Sequence, residues 1–180
     1  MCSSDLKSNK KLPTSLIDYV VKKTDAMICI DYNEALTSLG EFTEHEIFLK
    51  NTGRLSFVEQ PFPSDRADLY KKFKQTFSSE LIVDETIQHQ DIDNQFLEIC
   101  DGVNIKIMKS GGLQRARVQL EQAKNLGLKT MVGCMIESTL SLSHYVELGA
   151  HANYCDLDGY LFLQEDPFKM VTMDKGVIST

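Results

Sequence analysis

Charged residues recur at the ends of short apolar runs in this chain. Ala26-Met27-Ile28-Cys29-Ile30 ends in Asp31, Ser56-Phe57-Val58 in Glu59, Leu81-Ile82-Val83 in Asp84, and Val103-Asn104-Ile105 in Lys106. Each run is rich in Val, Ile, Met or Phe, and each is followed by a stretch that reads as a helix. Short apolar runs alternating with helical stretches predict an α/β protein with parallel strands. Repeated strand–helix units close naturally into a barrel, whose strand C-termini converge on one face. Three carboxylates and a lysine are then expected at one mouth. That set suits a hard divalent cation beside a proton-transferring base.

Taken singly, each acid has an ordinary explanation, because Asp and Glu cap helices and face water. Taken together, they occupy equivalent positions in successive units, and chance is the weaker account. Lys106 continues the strand alternation from Asn104, so the two side chains are expected to point the same way. A lysine held beside a cation in a desolvated pocket has a lowered pKa and can act as a base. Lys109, in the loop before the glycines, reads as structural or surface. Gly111-Gly112 reads as a tight strand-to-helix turn, since no GxGxxG or P-loop pattern accompanies it. Asp156-Leu157-Asp158 places two carboxylates on one side of a short extended segment. They form either a solvated turn or a clamp for a cationic group such as an ammonium. His45, His89, His144 and His151 read as surface residues.

Six strands are expected, each followed by a helix except the last. Pro13-Thr14-Ser15 supplies a turn and cap before helical spacing at Leu16, Val20 and Val21. Further helices are expected over about 41–50, 65–77, 91–99, from 112 to near 127, and 140–149. Leu69, Phe73 and Phe77 share one helix face. The 180 residues suffice for one core but fall short of the roughly 250 of an eight-unit barrel. A net charge of −7 argues against a nucleic-acid or anionic-membrane surface. No apolar run approaches the roughly 20 residues of a membrane span, and no signal peptide is visible. The five cysteines lack metal-ligand spacing and read as reduced, cytoplasmic thiols. Residues 1–6 read as a non-native leader, because Cys-Ser-Ser-Asp-Leu is what the end of a common sequencing adapter encodes. An ordinary N-terminus is the other reading. Residues 7–180 then form the barrel domain.

Several motifs carry a resemblance. Asp31-Tyr32-Asn33, Val58-Glu59-Gln60-Pro61-Phe62-Pro63, Val83-Asp84-Glu85-Thr86, the stretch 104–112 (NIKIMKSGG), the stretch 132–138 (VGCMIES) and Asp156-Leu157-Asp158-Gly159 resemble the enolase superfamily. Within it they resemble the muconate-cycloisomerase-like subgroup and its dipeptide epimerases of the L-Ala-D/L-Glu type. The resemblance runs from about residue 15 to about 168. It implies a partial TIM-type (β/α) barrel, strands three to eight of the superfamily's C-terminal barrel. It implies that Asp31, Glu59 and Asp84 ligate Mg²⁺ and that Lys106 is a base at the end of the sixth barrel strand. Asp156 and Asp158 would bind the substrate's α-ammonium, and Cys134 and Ile136 would contact a dipeptide through their backbone. Asn33 and Glu85 would stand behind the metal ligands. The implied reaction removes and returns the proton α to a carboxylate through an enediolate. The implied partners are a small-molecule dipeptide, neither nucleic acid nor membrane, and, for the full-length protein, a second copy of itself.

The departures from the family pattern matter too. No stretch of these residues matches the family's capping domain. The second-strand Lys-x-Lys, which supplies the other base, is not matched: Lys7, Lys10 and Lys11 show no strand pattern around them. The usual C-terminal tail is not recognisable after Asp166-Pro167-Phe168. The chain is therefore expected to be a truncated fragment, inactive alone. Other readings keep the metal site and change the substrate, to N-acylamino-acid racemisation, o-succinylbenzoate synthesis or cycloisomerisation. The Asp156-x-Asp158 pair argues against them. A non-catalytic metal-binding remnant is the reading from another class.

Overall fold

The computed structural model describes residues 3–7, 13–174 and 176–180. The chain divides into two compact units, Met1–Thr86 with Gln95–Asp101, and Ile87–Asn94 with Gly102–Thr180.

The first unit holds β1 (Ser3–Lys7), α1 (Thr14–Lys23), β2 (Met27–Asp31), α2 (Leu39–Thr52), β3 (Leu55–Glu59), α3 (Ala67–Thr76), β4 (Leu81–Val83) and the single turn α4 (Phe96–Ile99). Its four strands pair in parallel in chain order. Ile28, Cys29 and Ile30 are all buried, as are all three residues of β4. Continuous apolar burial marks strands covered on both faces, which parallel pairing requires. An aromatic cluster fills the core outside the sheet. Phe42 of α2 lies 5.0 Å, ring centre to ring centre, from both Phe73 and Phe77, and Phe62 lies 6.1 Å from Phe73. Leu69, Phe73 and Phe77 therefore share a buried face as their spacing predicts. The α2 helix begins where Glu41 accepts the Ser38 amide, and ends at Gly53, whose φ of +66° suits glycine. At the other end of the strands, Arg54 donates to the carbonyls of Val21 and Ala26, both at 2.7 Å.

The second unit holds β5 (Gly102–Ile105), a one-turn α5 (Ile107–Ser110), α6 (Leu113–Asn125), β6 (Lys129–Gly133), α7 (Thr139–Gly149), β7 (Tyr154–Asp156), a 3₁₀ turn (Gly159–Phe162), and the antiparallel hairpin β8 (Thr172–Asp174) and β9 (Val177–Ser179). Here β5, β6 and β7 pair in parallel. Strand–helix alternation with parallel pairing runs through both units, the organisation of a partial (β/α) barrel. No helix among the described residues is long and apolar enough to cross a membrane.

Four expectations are corrected. Ser3–Lys7 forms a strand where no strand pattern was read, and Lys7 stands opposite Asp31 in the ladder. Backbone pairing with the edge of β2 makes this strand, and such pairing leaves no trace in side-chain alternation. Lys10 and Lys11 lie outside the described residues. The helix expected over 91–99 shrinks to Phe96–Ile99. Side chains of α6 hold the preceding backbone instead: Gln119 Nε2 donates to the carbonyls of Gln88 and Gln90, and Gln122 Oε1 accepts the Ile92 amide at 3.0 Å. The glycine pair joins α5 to α6, with φ of +88° and +126°, so a turn of helix intervenes after the strand. Finally, the strands exceed the six expected, since the segment after Asp166-Pro167-Phe168 also carries the β8–β9 hairpin.

Candidate active site

In the first unit the three acids lie at the ends of consecutive strands. Asp31 closes β2, Glu59 closes β3 and faces Asp31 in the ladder, and Asp84 follows β4 directly. They are 3%, 1% and 2% exposed. Carboxylates are rarely this buried unless a positive charge or hydrogen bonds offset the desolvation. Asp31 Oδ1 accepts the amide of Asn33 at 2.9 Å, an Asx turn that ties the carboxylate to its own loop. Asn33 thus touches Asp31 through its backbone, while its side chain is exposed. Glu85 is half-buried. Three carboxylates are the donor set a hard cation such as Mg²⁺ prefers. The donor chemistry fits, although among the described residues no three His, Cys, Asp or Glu side chains are gathered into an ion-holding cluster.

The loops leaving β2 and β3 are strained and tied together. Asn33, Glu34 and Gln60 have φ of +44°, +63° and +36°, a region that non-glycine residues rarely adopt. The Glu34 and Leu36 amides donate to the carbonyls of Gln60 and Pro61 at 2.8 and 2.9 Å, and Glu34 Oε1 accepts the Ser64 amide. Gln60, fully buried, is the residue sequence reasoning missed. Its Oε1 accepts the Asp84 amide at 2.7 Å, and its Nε2 donates to Thr86 Oγ1 and the Phe62 carbonyl. One glutamine thereby fixes the loop after β3 to the backbone of the third acid. Its only signal was its place between the acid and Pro61.

His45 also departs from its surface reading. It is wholly buried, shares a 2.6 Å hydrogen bond between Nδ1 and the Tyr32 hydroxyl, and stacks on that ring. Burial pushes the Tyr32 hydroxyl pKa up, so it stays protonated beside His45. His89, His144 and His151 are exposed, as read.

In the second unit Lys106 follows β5, extended and half-buried, and Asn104 is 1% exposed. Both side chains reach toward Gly133 at the end of β6: a Cβ built there would lie 2.7 Å from Asn104 Oδ1 and 3.0 Å from Lys106 Cε. The alternation read from the sequence is therefore correct. Lys109 is half-buried in α5. Beyond Gly133, Cys134 donates its amide to the Asp156 carbonyl at 3.1 Å, and burial pushes its thiol pKa up to about 11. Ile136 is 64% exposed. Glu137 anchors this loop: it accepts from the Met135 amide, the Ser141 hydroxyl and the Tyr145 hydroxyl. Tyr145 in turn accepts the Met108 amide at 3.3 Å, tying the loop to the turn after Lys106. Asp156 closes β7 half-buried, but Asp158 is exposed and helical, with φ −92° and ψ −5°. The two carboxylates do not share one extended segment, because the chain turns into the 3₁₀ helix at Asp158. Gly159 there packs so closely that a Cβ would collide with the Met135 carbonyl. Cys29 and Cys100 are buried, and all four described cysteines are free thiols.

The chain as a whole is similar to known proteins. An L-Ala-D/L-amino acid epimerase of Flavobacterium johnsoniae is 35% identical over 175 residues, covering 97% of this chain and 51% of the relative. An enolase family member from Agrobacterium tumefaciens with homology to dipeptide epimerases, solved with bound sodium and L-Ala-L-Glu, has a TM-score of 0.87 and 25% identity, covering 98% of this chain and 53% of that one. A dipeptide epimerase from Methylococcus capsulatus, complexed with Mg and L-Arg-D-Lys, shares the fold at a TM-score of 0.79 and 23% identity, over 98% of this chain and 52% of its own. The chain spans about half the length of these relatives. The profile of the enolase C-terminal domain-like family matches residues 16–177, and the chain belongs to that family.

Proposed function

We propose that the whole protein is a Mg²⁺-dependent dipeptide epimerase, an isomerase that removes and returns the proton α to a carboxylate. One observation carries the reading: three buried carboxylates lie at successive strand ends of one unit, and a half-buried lysine follows a strand of the other. The names of the relatives support it. Asp31, Glu59 and Asp84 would hold the cation, with Gln60 and the Asn33 amide fixing Asp84 and Asp31. When bound, the cation supplies electrostatic stabilisation for negative charge developing on the substrate carboxylate. Lys106 takes the α-proton from one face and returns it. Cys134 and Ile136 line the dipeptide along the loop Glu137 holds, and Asp156 with Asp158 meets its α-ammonium. Epimerisation needs a second base for the opposite face. The β1 backbone brings Lys7 into register with Asp31, which removes the ground for setting that lysine aside.

Calorimetric titration of Mg²⁺ into the 180-residue chain tests the metal assignment. Wild type is expected to bind, and Asp84→Asn to bind at least about tenfold more weakly, since a hard-cation site loses an anionic ligand. Equal affinity would refute it. A related enzyme acting on N-acylated amino acids is the second reading. The exposed, helical Asp158 favours it, because the ammonium clamp is then less well formed. Deuterium incorporation by the whole protein, compared between free and N-acylated dipeptides, separates the two readings.

A further inference from the structure

We infer that Gly133 is a positioning residue for Lys106, its missing side chain leaving the slot in which the Asn104 amide and the Lys106 chain lie together. The inference rests on the proposed function for what Lys106 does, but not for where it lies. Gly133 closes β6, is buried, and does not have the left-handed backbone that would by itself call for glycine. What demands glycine is space. A Cβ there would stand 2.7 and 2.8 Å from Asn104 Oδ1 and Nδ2, and 3.0 Å from Lys106 Cε, all inside ordinary contact distance. The register explains the crowding: Met131 pairs with Asn104 and Val132 with Ile105, so Gly133 comes level with Lys106.

The two neighbours differ in their freedom to yield. Asn104 is 1% exposed and packed on all sides, so its amide cannot retreat far. Lys106 is half-buried, and its terminal carbons rotate easily. Filling the slot would therefore move the ammonium more than the amide. Asn104 forms one wall, and the bare α-carbon of Gly133 forms the other. Placement of a base within fractions of an ångström decides whether a proton is within reach.

The test reads Lys106 directly and needs no turnover. The 180-residue chain is acetylated with limiting acetic anhydride, and the rate at Lys106 is measured by peptide mass spectrometry against the exposed Lys124. In Gly133→Ala the Lys106 rate relative to Lys124 is expected to change at least about threefold. In Gly133→Ala/Asn104→Ala, where the closest obstruction is gone but the new Cβ still meets the Lys106 chain, the rate is expected to depart from the combined single effects, so that positions 133 and 104 couple through Lys106. A folded Gly133→Ala with an unchanged Lys106 rate would overturn the inference, as would additive effects in the double variant. Should Gly133→Ala fail to fold, Asn104→Ala carries the test, since it removes one wall; no change at Lys106 would then overturn the inference. In the whole protein, Gly133→Ala is expected to lower kcat while KM holds. Absence of turnover in wild type with the labelling shift intact would sink the epimerase reading and leave the slot standing.

Discussion

The strand ends of the two units are built differently. In the first, none of Asp31, Glu59 and Asp84 is more than 3% exposed, Asn33, Glu34 and Gln60 sit in left-handed conformations, and Gln60 binds one loop to the next. In the second, Lys106 and Asp156 are half-buried, while Asp158 and Ile136 stand in solvent, and the loop is held through the half-buried Glu137. Fixed charges need a fixed frame, because a cation rewards donors that do not have to reorganise. A surface that meets a substrate side chain gains from being open and replaceable.

The sharpest test of this division is Lys106→Ala in the whole protein. Deuterium incorporation is expected to fall by about 10²–10⁴-fold from at least one epimer. Mg²⁺ affinity, belonging to the other frame, is expected to hold within about twofold of wild type. A large loss of affinity would break the separation. A second effect concerns Cys134. With its thiol pKa pushed up to about 11, alkylation by iodoacetamide at pH 8 is expected to be about a hundredfold slower than for glutathione, rising about tenfold per pH unit and levelling off only near pH 11. Ordinary reactivity would show that the open loop leaves this thiol wet.

The frames themselves can be compared by urea denaturation. Gln60→Ala strands buried backbone amides and is expected to cost about 1–3 kcal/mol. Glu137→Ala, on the half-buried loop, is expected to cost about half as much, since water replaces its partners there. Equal costs would erase the contrast. The smallest effect falls at the start of α7, where Asp166 Oδ2 accepts the Thr139 amide at 2.8 Å. Hydrogen bonding from the Thr139 side chain, then from the Phe168 and Thr139 amides, holds the carboxyl pKa below its usual value. A group depressed in the folded state stabilises above its unfolded pKa and loses that contribution as pH falls through its folded one. The melting-temperature gap between wild type and Asp166→Ala is therefore expected to be present at pH 6 and to close below about pH 4. A gap unchanged at pH 3 would contradict the carboxylate's role.

What could be read in the sequence follows from how each feature is held together. Strands buried on both faces wrote themselves as apolar runs, and the acids at their ends stood out against that background. The alternation of Asn104 and Lys106 was legible because a strand has a period of two. β1 was not, since Ser3-Ser4-Asp5-Leu6-Lys7 offers one apolar residue and relies on ladder hydrogen bonds. The 87–94 segment was misread because Gln119 and Gln122, some 30 residues later, decide its path. At Asp158 the sequence left a solvated turn and an extended clamp both open, and the alternation alone could not choose the turn that the 3₁₀ helix makes. His45 left a trace that went unused: Phe42, His45 and Leu49 lie three and four apart on one helix face, the spacing of a buried stripe.

The course of the backbone between the units has one more consequence. The chain passes from one unit to the other after Thr86, returns after Asn94 and passes over again after Asp101. Residues 87–94 belong with α6, yet they lie in sequence between two stretches of the first unit. No single cleavage yields either unit whole. A cut after Asp101 leaves the Ile87–Asn94 stretch on the wrong piece, and α6 then lacks the backbone groups that Gln119 Nε2 and Gln122 Oε1 hold. Reassembly of two separately expressed pieces, or recombination between related genes, would have to respect a thread that is stitched rather than hinged.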